Sequence, residues 1–413
     1  MAFPPDLAPA PRRSAGSPGD DRPPTGGNGP DGPHPAVAAA LQDALEGGGG
    51  RITFADYMAI ALYHPEGGYY LQRERRPGRG GDFLTAPEAH PFFGRAVARQ
   101  VAECWERLGR PWPWGIREDG AGTGVLAYDV LSGLGDEAPE ALDGLRYRLV
   151  EPNPHRRAEA LGALARSGFG GIVEAAEPET VEPFDGVALA NEVADALPVH
   201  RLVWRDGAPR ERWVAAEGGG LVEADGPLSP AMAAFDPASY LARVGVAAND
   251  GERFDISPAA AGWIGGVARS LRRGYAVVVD YGYQAATLYR DHRLEGTVRA
   301  HRRHAVTDDP FGAPGREDLT AHVDFSLLAE AAEREGMVAV GVTTQAAFLA
   351  SLGLGDLLVR LGQRPETTAA DYYAAQAAIL RLVDPGGMGR FGVLVLAKDA
   401  PVEPPLRGLA VRL

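Results

Sequence analysis

A glycine-rich segment offers the first chemistry in this sequence, because residues 118–124 read EDGAGTG. Gly120, Gly122 and Gly124 permit a tight turn and let the backbone lie against a ligand with no Cβ in the way. Glu118 stands where a predicted strand gives way to this turn. The pattern is typical of the strand-to-helix turn in nucleotide-binding α/β folds. We therefore predict that these four residues bind a cofactor.

Glu151 ends the next predicted strand and is placed to accept hydrogen bonds from a ribose, since an ionised carboxylate offers two oxygens to two adjacent hydroxyls. A dinucleotide fingerprint would require a glycine at position 125, where the chain has Val125. This difference favours S-adenosylmethionine over NAD, because S-adenosylmethionine has no pyrophosphate. The alternative is a structural loop followed by a solvated carboxylate.

Polar residues follow the apolar residues 187–190 abruptly, where the fourth strand of a doubly wound sheet would reach the ligand crevice. If the substrate is arginine, its guanidinium stays charged and planar carboxylates can bind it bidentately. Positioning of this kind lowers the barrier to methyl transfer. We predict Glu192 as the main clamp, Asp195 as the second carboxylate and Asn191 as the orienting amide. The alternative is a helix start with Asn191 as its N-cap.

Four segments, taken in order, resemble the MidA family of class I S-adenosylmethionine-dependent methyltransferases. They are residues 81–88 (GDFLTAPE), 118–124, 191–198 (NEVADALP) and 319–325 (LTAHVDF). The likeness extends from about residue 50 nearly to the C-terminus. It implies a doubly wound, Rossmann-like α/β fold, S-adenosylmethionine as cofactor, and methyl transfer to a protein arginine. The mitochondrial members of the family methylate a subunit of respiratory complex I, so such a subunit is the first expected partner.

The resemblance also implies roles for residues that composition alone would assign to a loop. In the family, the segment that corresponds to residues 81–88 folds over the cofactor site. Asp82, Thr85 and Pro87 are therefore expected to contact the cofactor, and Glu88 the substrate.

Two further residues are predicted on the substrate side, namely Tyr281 after an apolar strand and Pro198 after the acidic motif. A strand that ends in a glycine turn explains Tyr281 equally well. Metal-ligand residue types also occur late in the chain, but the resemblance implies no metal, and Asp324 is expected to cap a helix. These residues are His301, His304, His322 and Asp324.

The glycine turn departs from the family pattern, which usually reads ELGPG. Asp119 and Ala121 replace the apolar residue and the proline. Two acids, Glu118 and Asp119, should repel each other at a partly buried strand end, and a positively charged sulfonium nearby could offset this. The change could instead weaken the cofactor site. It leaves open an alternative function, a catalytically inactive relative that acts as a binding or assembly factor.

Composition narrows the function classes. The chain has 413 residues and a net charge of −14, which argues against a nucleic-acid partner. Cys104 is the single cysteine, so no internal disulfide can form. No apolar run approaches the roughly 18 residues of a membrane span. We expect a cytoplasmic bacterial protein and consider a homodimer.

The pattern along the chain predicts a disordered tail over 1–36, an N-terminal helical segment over 37–110 and a methyltransferase domain over 111–413 with insertions at about 201–256 and 284–345. Strands are predicted at 114–118, 146–151, 186–190 and 275–280, a hairpin at 202–221, and a final antiparallel strand at 391–396. Helices are predicted at 325–334, 348–361 and 369–382.

Overall fold

The structure, a computed structural model, describes residues 32–73, 84–290, 296–302 and 305–410. Its α-helices are α1 Pro35–Gly47, α2 Phe54–Tyr63, α3 Ala86–Ala89, α4 Phe92–Arg107, α5 Val125–Glu137, α6 Pro154–Leu164, α7 Pro230–Phe235, α8 Pro237–Arg243, α9 Pro258–Ser270, α10 Ala285–Leu288, α11 Phe325–Arg334, α12 Gln345–Ser351, α13 Leu354–Gly362 and α14 Ala369–Leu382. Its strands are β1 Arg51–Thr53, β2 Trp114–Asp119, β3 Leu145–Val150, β4 Val173–Ala175, β5 Phe184–Asn191, β6 His200–Arg205, β7 Ala208–Glu217, β8 Gly220–Gly226, β9 Arg253–Ile256, β10 Leu271–Asp280, β11 Gly282–Tyr283, β12 Arg299–Arg302, β13 Ala305–Thr307, β14 Asp318–Thr320, β15 Val323–Asp324, β16 Val338–Thr344 and β17 Gly392–Lys398.

The central sheet has seven strands in the order β16-β17-β10-β5-β2-β3-β4. Strand β17 runs antiparallel to both neighbours, and the pairs from β10 to β4 are parallel. This confirms the doubly wound α/β fold and the antiparallel final strand. The chain order reverses between β2 and β5, and the carboxyl ends of these strands are where such sheets bind ligands.

The sheet is buried on both faces because successive side chains of each strand alternate between them. On β5, Val187 and Leu189 pack in the core with α4 and α5, whereas Ala188 packs in the core with α9 and α11. This burial explains why residues 186–190 of the strand are apolar. It leaves polar residues to appear at the end of the strand, where the sheet edge opens.

Side-chain caps fix several helix starts, including the one that the sequence predicts at Asp324. Thr53 and Asp56 form a capping box at the start of α2, and Asp324 caps α11. Predicted helix 348–361 is wrong, because the structure has two helices, α12 and α13, separated at Gly353. Gly353 has φ +77°, and the guanidinium of Arg99 donates to its carbonyl at 2.9 Å. A left-handed glycine that presents its carbonyl to a cation ends one helix and lets the next begin.

The predicted insertion at 201–256 forms a sheet of its own, whereas the predicted insertion at 284–345 is wrong in its last part, because α11 packs against the central sheet and β16 belongs to it. Strands β6 to β9 join β1 in a five-stranded sheet, and the predicted hairpin is the β6–β7 pair. Strands β12 to β14 form a separate three-stranded sheet. Helix α1 begins at Pro35, two residues before the predicted helical segment at 37, and proline suits the first turn of a helix. Residues 1–31 lie outside the described residues.

Across the described ranges, no single helix is long and apolar enough to span a membrane. One pair of consecutive helices, α12 and α13, passes the same test of length and composition together, with a bend of 55° between them.

Candidate active site

A cavity of about 710 Å³ opens at the carboxyl edge of the central sheet. It brings together most of the predicted site residues: Thr85, Pro87, Glu88, Glu118, Gly120, Gly122, Glu151, Asn191, Glu192, Asp195, Pro198 and Tyr281. Gly124 lies directly behind the turn as the residue before α5. Asp82 lies outside the described residues.

The glycine turn has the tight geometry that its sequence predicts. Gly120 has φ +69°, and a Cβ there would lie 2.6 Å from Cγ2 of Val193. The backbone N–H of Gly122 donates to Oε2 of Glu151 at 2.8 Å. A Cβ on Gly122 would meet just the carbonyl oxygen of Gly120, at 3.9 Å, so the turn presents its backbone to open space. A ligand can therefore approach this backbone closely.

We expect Gly120→Ala to impair cofactor binding and to lower stability by about 1–3 kcal/mol, because it adds both a left-handed backbone strain and a clash. Titration calorimetry and thermal unfolding measure the two effects. Gly47→Ala is the matched control, since Gly47 lies in α1 with open space around it and without a positive φ. Equal losses in the two variants would contradict the prediction.

Glu151 is held at the end of β3 by two backbone donors. Oε1 accepts from the backbone N–H of Asn153 at 2.9 Å, and Oε2 accepts from Gly122. The side chain of Asn153 donates in turn to the carbonyl of Tyr70 at 2.8 Å. Because each carboxylate oxygen has two lone pairs, both can still accept a ribose hydroxyl.

The expected repulsion between Glu118 and Asp119 is offset within the protein. Arg117 donates to both oxygens of Asp119, at 2.7 and 2.8 Å, and the indole of Trp263 donates to Asp119 at 3.2 Å. Glu118 instead accepts from the hydroxyl of Tyr147 at 2.5 Å. Burial raises the pKa of Glu118 to about 8. Arg117 was not predicted as the counter-charge, although it lies two residues from Asp119 on the same strand face.

Glu192 occupies a strained position at the end of β5. Its φ is +54°, a left-handed conformation that is unusual for a residue other than glycine. Oε1 accepts from the side chain of Asn191 at 2.9 Å and from the backbone N–H of Ala86 at 3.3 Å. Among the described residues, Oε2 accepts no hydrogen bond. Burial raises the pKa of Glu192 to about 8.

Asn191 does not cap a helix, which rules out that alternative reading. Its amide nitrogen donates to Glu192, and the segment after it forms a short 3-10 helix, Ala194–Ala196. The amide oxygen of Asn191 is buried without a hydrogen-bond partner in the described part of the chain. At the cavity wall, this acceptor is available to a donor of a bound ligand.

Asp280, the last residue of β10, fixes the loop that carries these groups. Oδ2 accepts from the backbone N–H groups of Val193, Ala194 and Asp195, and Oδ1 accepts from that of Tyr281. Burial raises the pKa of Asp280 to about 6, although the four donors favour its charged form. Its role was not predicted from the sequence.

Tyrosines and a further carboxylate border the cavity. Asp318, on β14, accepts from the hydroxyl of Tyr70 at 2.7 Å. The hydroxyl of Tyr63 donates to the carbonyl of Ala196 at 3.0 Å, and the rings of Tyr63 and Tyr70 stack with centroids 5.7 Å apart. No role was predicted for these residues, because Tyr63 ends a helix, Tyr70 lies in a turn and Asp318 lies in a predicted insertion, where spacing along the chain shows no site.

Asp195, the second carboxylate of the predicted clamp, is buried among other acidic groups. Burial, followed by the neighbouring charges of Asp280, Asp318 and Glu192, raises the pKa of Asp195 well above its usual range. Such a group gains from a cation placed beside it, because the cation favours its charged form.

The segment before the sheet closes over Glu192. Thr85 precedes α3, and its hydroxyl donates to Glu88 at 3.1 Å in a capping box. Glu88 is therefore engaged in a helix cap at the cavity wall, and burial raises its pKa. The backbone N–H of Ala86 is the donor that reaches Glu192.

The aromatic side of the cavity lies at the ends of β10 and β17. The guanidinium of Arg390 lies 4.6 Å from the ring centroid of Tyr281 and donates to its hydroxyl. The ring of Tyr281 meets that of His322 edge-on, with centroids 4.2 Å apart. Within the described ranges, no group of three or more His, Cys, Asp and Glu residues could hold a metal ion.

Carboxylates outnumber cations around the cavity and suit positively charged ligands. The acidic side chains that line it are Glu88, Glu118, Asp119, Glu151, Glu177, Glu192, Asp195 and Asp318. The basic ones are Arg156, His301 and Arg390. The open glycine turn, the buried acceptor of Asn191 and this excess of acid fit S-adenosylmethionine, which has a sulfonium and a nucleoside with hydroxyl donors.

Comparisons with known proteins agree with this chemistry. Residues 96–343 match the sequence model of a family described as "Putative S-adenosyl-L-methionine-dependent methyltransferase". The chain is 30% identical over 329 residues to "Protein arginine methyltransferase NDUFAF7 homolog, mitochondrial" of Drosophila melanogaster. This alignment covers 73% of this chain and 71% of that protein. The Danio rerio protein arginine methyltransferase NDUFAF7 is 30% identical over 334 residues, 74% of each. A COG1565 superfamily member from Burkholderia thailandensis, solved with S-adenosyl-homocysteine, is 33% identical with a TM-score of 0.81, over 91% of this chain and 94% of that one.

Proposed function

Because the chain belongs to this family of S-adenosylmethionine-dependent methyltransferases, we propose that it methylates an arginine side chain of a protein. The observation that carries the proposal is the set of carboxylates at the substrate side, where Glu192, Asp195 and Asp318 surround one cavity. A guanidinium matches planar carboxylates in shape and charge. The names of the curated relatives support the same acceptor.

Different residues of this chain bind the cofactor and the methyl acceptor. The glycine turn and Glu151 hold the cofactor, which when bound supplies an electrophilic methyl group on a positively charged sulfur. Oε2 of Glu192 binds a guanidinium N–H, while Asn191 and Ala86 fix the other oxygen. This leaves one nitrogen of the acceptor aligned for attack. As the nitrogen–carbon bond forms and the sulfur–carbon bond breaks, the nitrogen loses a proton, which Glu192 can accept.

The finer assignments follow from the family resemblance. A subunit of respiratory complex I is the first acceptor to test if the source organism has that complex. Cytoplasmic location and a homodimer stay predictions from the sequence, and the printed names of the curated relatives describe mitochondrial proteins.

The test uses the purified full chain, S-adenosylmethionine labelled in the methyl group, and extract from a strain that lacks the gene, so that natural acceptors are unmethylated. We expect label in methylarginine after hydrolysis of the protein fraction. Label in another amino acid would contradict the assignment of arginine as the methyl acceptor. Calorimetric binding of S-adenosylmethionine without transfer would instead support the inactive assembly factor. Glu151→Ala should weaken that binding by about 1 kcal/mol or more.

A further inference from the structure

A buried polar cluster lies on the side of the sheet covered by α9, next to the glycine turn. Arg117 and Asp119 are 1% and 4% exposed and form a two-point ion pair. The indole N–H of Trp263, on α9, donates to Oδ1 of Asp119 at 3.2 Å. A third nitrogen of Arg117 donates to the carbonyl of Pro178 at 3.4 Å. The pair therefore joins three segments that are far apart in the chain.

The cluster reaches the cavity through the residues it joins. Asp119, Pro178 and Trp263 all line the cavity, whereas Arg117 does not. Trp263 is half-buried, so part of its indole remains available to a ligand. The indole and the proline ring present apolar surfaces against which the flat purine base can pack.

The positions of Trp263 and Pro178 along the sheet edge indicate which part of the cofactor they face. The methyl group must approach Glu192 at the end of β5, and Glu151 at the end of β3 is the predicted ribose acceptor. The sheet order β5-β2-β3-β4 places β4 beyond β3. Pro178 follows β4, so the base extends toward Pro178 and not toward Glu192.

We propose that the Arg117–Asp119 pair positions Trp263 as a wall of the cofactor site, where the indole contacts the nucleoside part of S-adenosylmethionine. Arg117 and Asp119 act through Trp263 and are positioning residues. Asp119, which departs from the family pattern, is then part of a working cofactor site and no sign of decay. The inference rests on the cofactor assignment and on Glu192 as the acceptor side of the site, and it does not depend on which group accepts the methyl.

The first test measures binding of two probes to the full chain by calorimetry: S-adenosylhomocysteine, and 5′-methylthioadenosine, which lacks the amino-acid portion. We expect Trp263→Phe to weaken both at least fivefold and by the same factor. Trp204→Phe is the control, because Trp204 does not line the cavity. Unchanged binding, or a loss confined to S-adenosylhomocysteine, would overturn the proposal. If the unaltered protein bound neither probe, the cofactor assignment itself would fail.

The second test separates positioning from folding. In Arg117→Met with Asp119→Leu, both charges are removed, which a buried pair tolerates far better than removal of one partner. We expect an unchanged unfolding temperature within a few degrees and at least fivefold weaker binding of S-adenosylhomocysteine. With 5-fluorotryptophan incorporated, the resonance that Trp263→Phe eliminates should shift in the double variant, and in the unaltered protein on adding S-adenosylhomocysteine. If the chemical shift of this resonance did not change in either experiment, the proposal would be overturned.

Discussion

Glu192→Gln should reduce methyl transfer by about a hundredfold or more while S-adenosylmethionine binds as before. The amide keeps the size of the side chain but has no charge to pair with a guanidinium, and it replaces one acceptor oxygen with a donor. Its remaining oxygen can still accept from Asn191 and Ala86, so the loop should keep its shape. The initial rate with extract from the deletion strain measures the effect, and calorimetry measures the cofactor affinity.

The matched control for this variant is Glu335→Gln, a half-buried carboxylate that pairs with the exposed Arg269 and lies outside the cavity. It should leave the rate unchanged. An active Glu192→Gln enzyme would contradict the clamp and would direct attention to Asp195 and Asp318 as the acceptor site.

The pH dependence gives an independent check on Glu192. With its pKa raised to about 8 by burial, Glu192 is mostly neutral at pH 6.5 and gains its charge as the pH rises. The guanidinium of the acceptor does not titrate in this range. At limiting acceptor, the rate should therefore rise about tenfold per pH unit below the pKa and then level off. A bound sulfonium would lower the pH at which the rate levels off, because a positive charge favours the ionised form of Glu192.

The main features of the fold follow from the sequence because the central strands are buried on both faces. The runs that include 186–190 and 275–280 are apolar throughout and end in sudden polarity, which a solvent-facing strand would not show. In the central sheet, the two outer strands β4 and β16 were not predicted. Strand β4 has three residues and none is fully buried, while β16 is largely exposed or half-buried. Edge strands carry too little of the apolar pattern to be recognised.

Site residues could be predicted where a local sequence pattern marks them. Those that are held in place by tertiary contacts could not be predicted. Gly122 and Glu151 come from local patterns at strand ends, and the structure joins them by a hydrogen bond. Asp280 contacts Asp195 across 85 positions, and Tyr70 contacts Asp318 across 248. Spacing along the sequence contains no signal for such pairs. The predicted roles of Asp82 and Glu88 stay predictions, and Glu88 is also a helix cap.

Asp280→Asn should destabilise the protein by about 2–4 kcal/mol and also slow methyl transfer, because one carboxylate holds four backbone N–H groups. An asparagine has one acceptor oxygen, so its NH₂ group must face either Tyr281 or the three donors of residues 193–195. At least one buried donor is then unsatisfied. Denaturant unfolding measures the loss of stability, and the initial rate measures the effect on the loop.

The control is Asp185→Asn, which alters the same residue type on β5 at the opposite edge of the sheet. Asp185 pairs with the exposed Arg272 and Arg273, and surface ion pairs contribute about 0–1 kcal/mol. We expect little change in stability and none in rate. If Asp280→Asn lost stability but kept its full rate, the residue would support the fold without placing Glu192. If both values fell together, the strained conformation of Glu192 would depend on this carboxylate, and the geometry of the clamp would be set from the neighbouring strand β10.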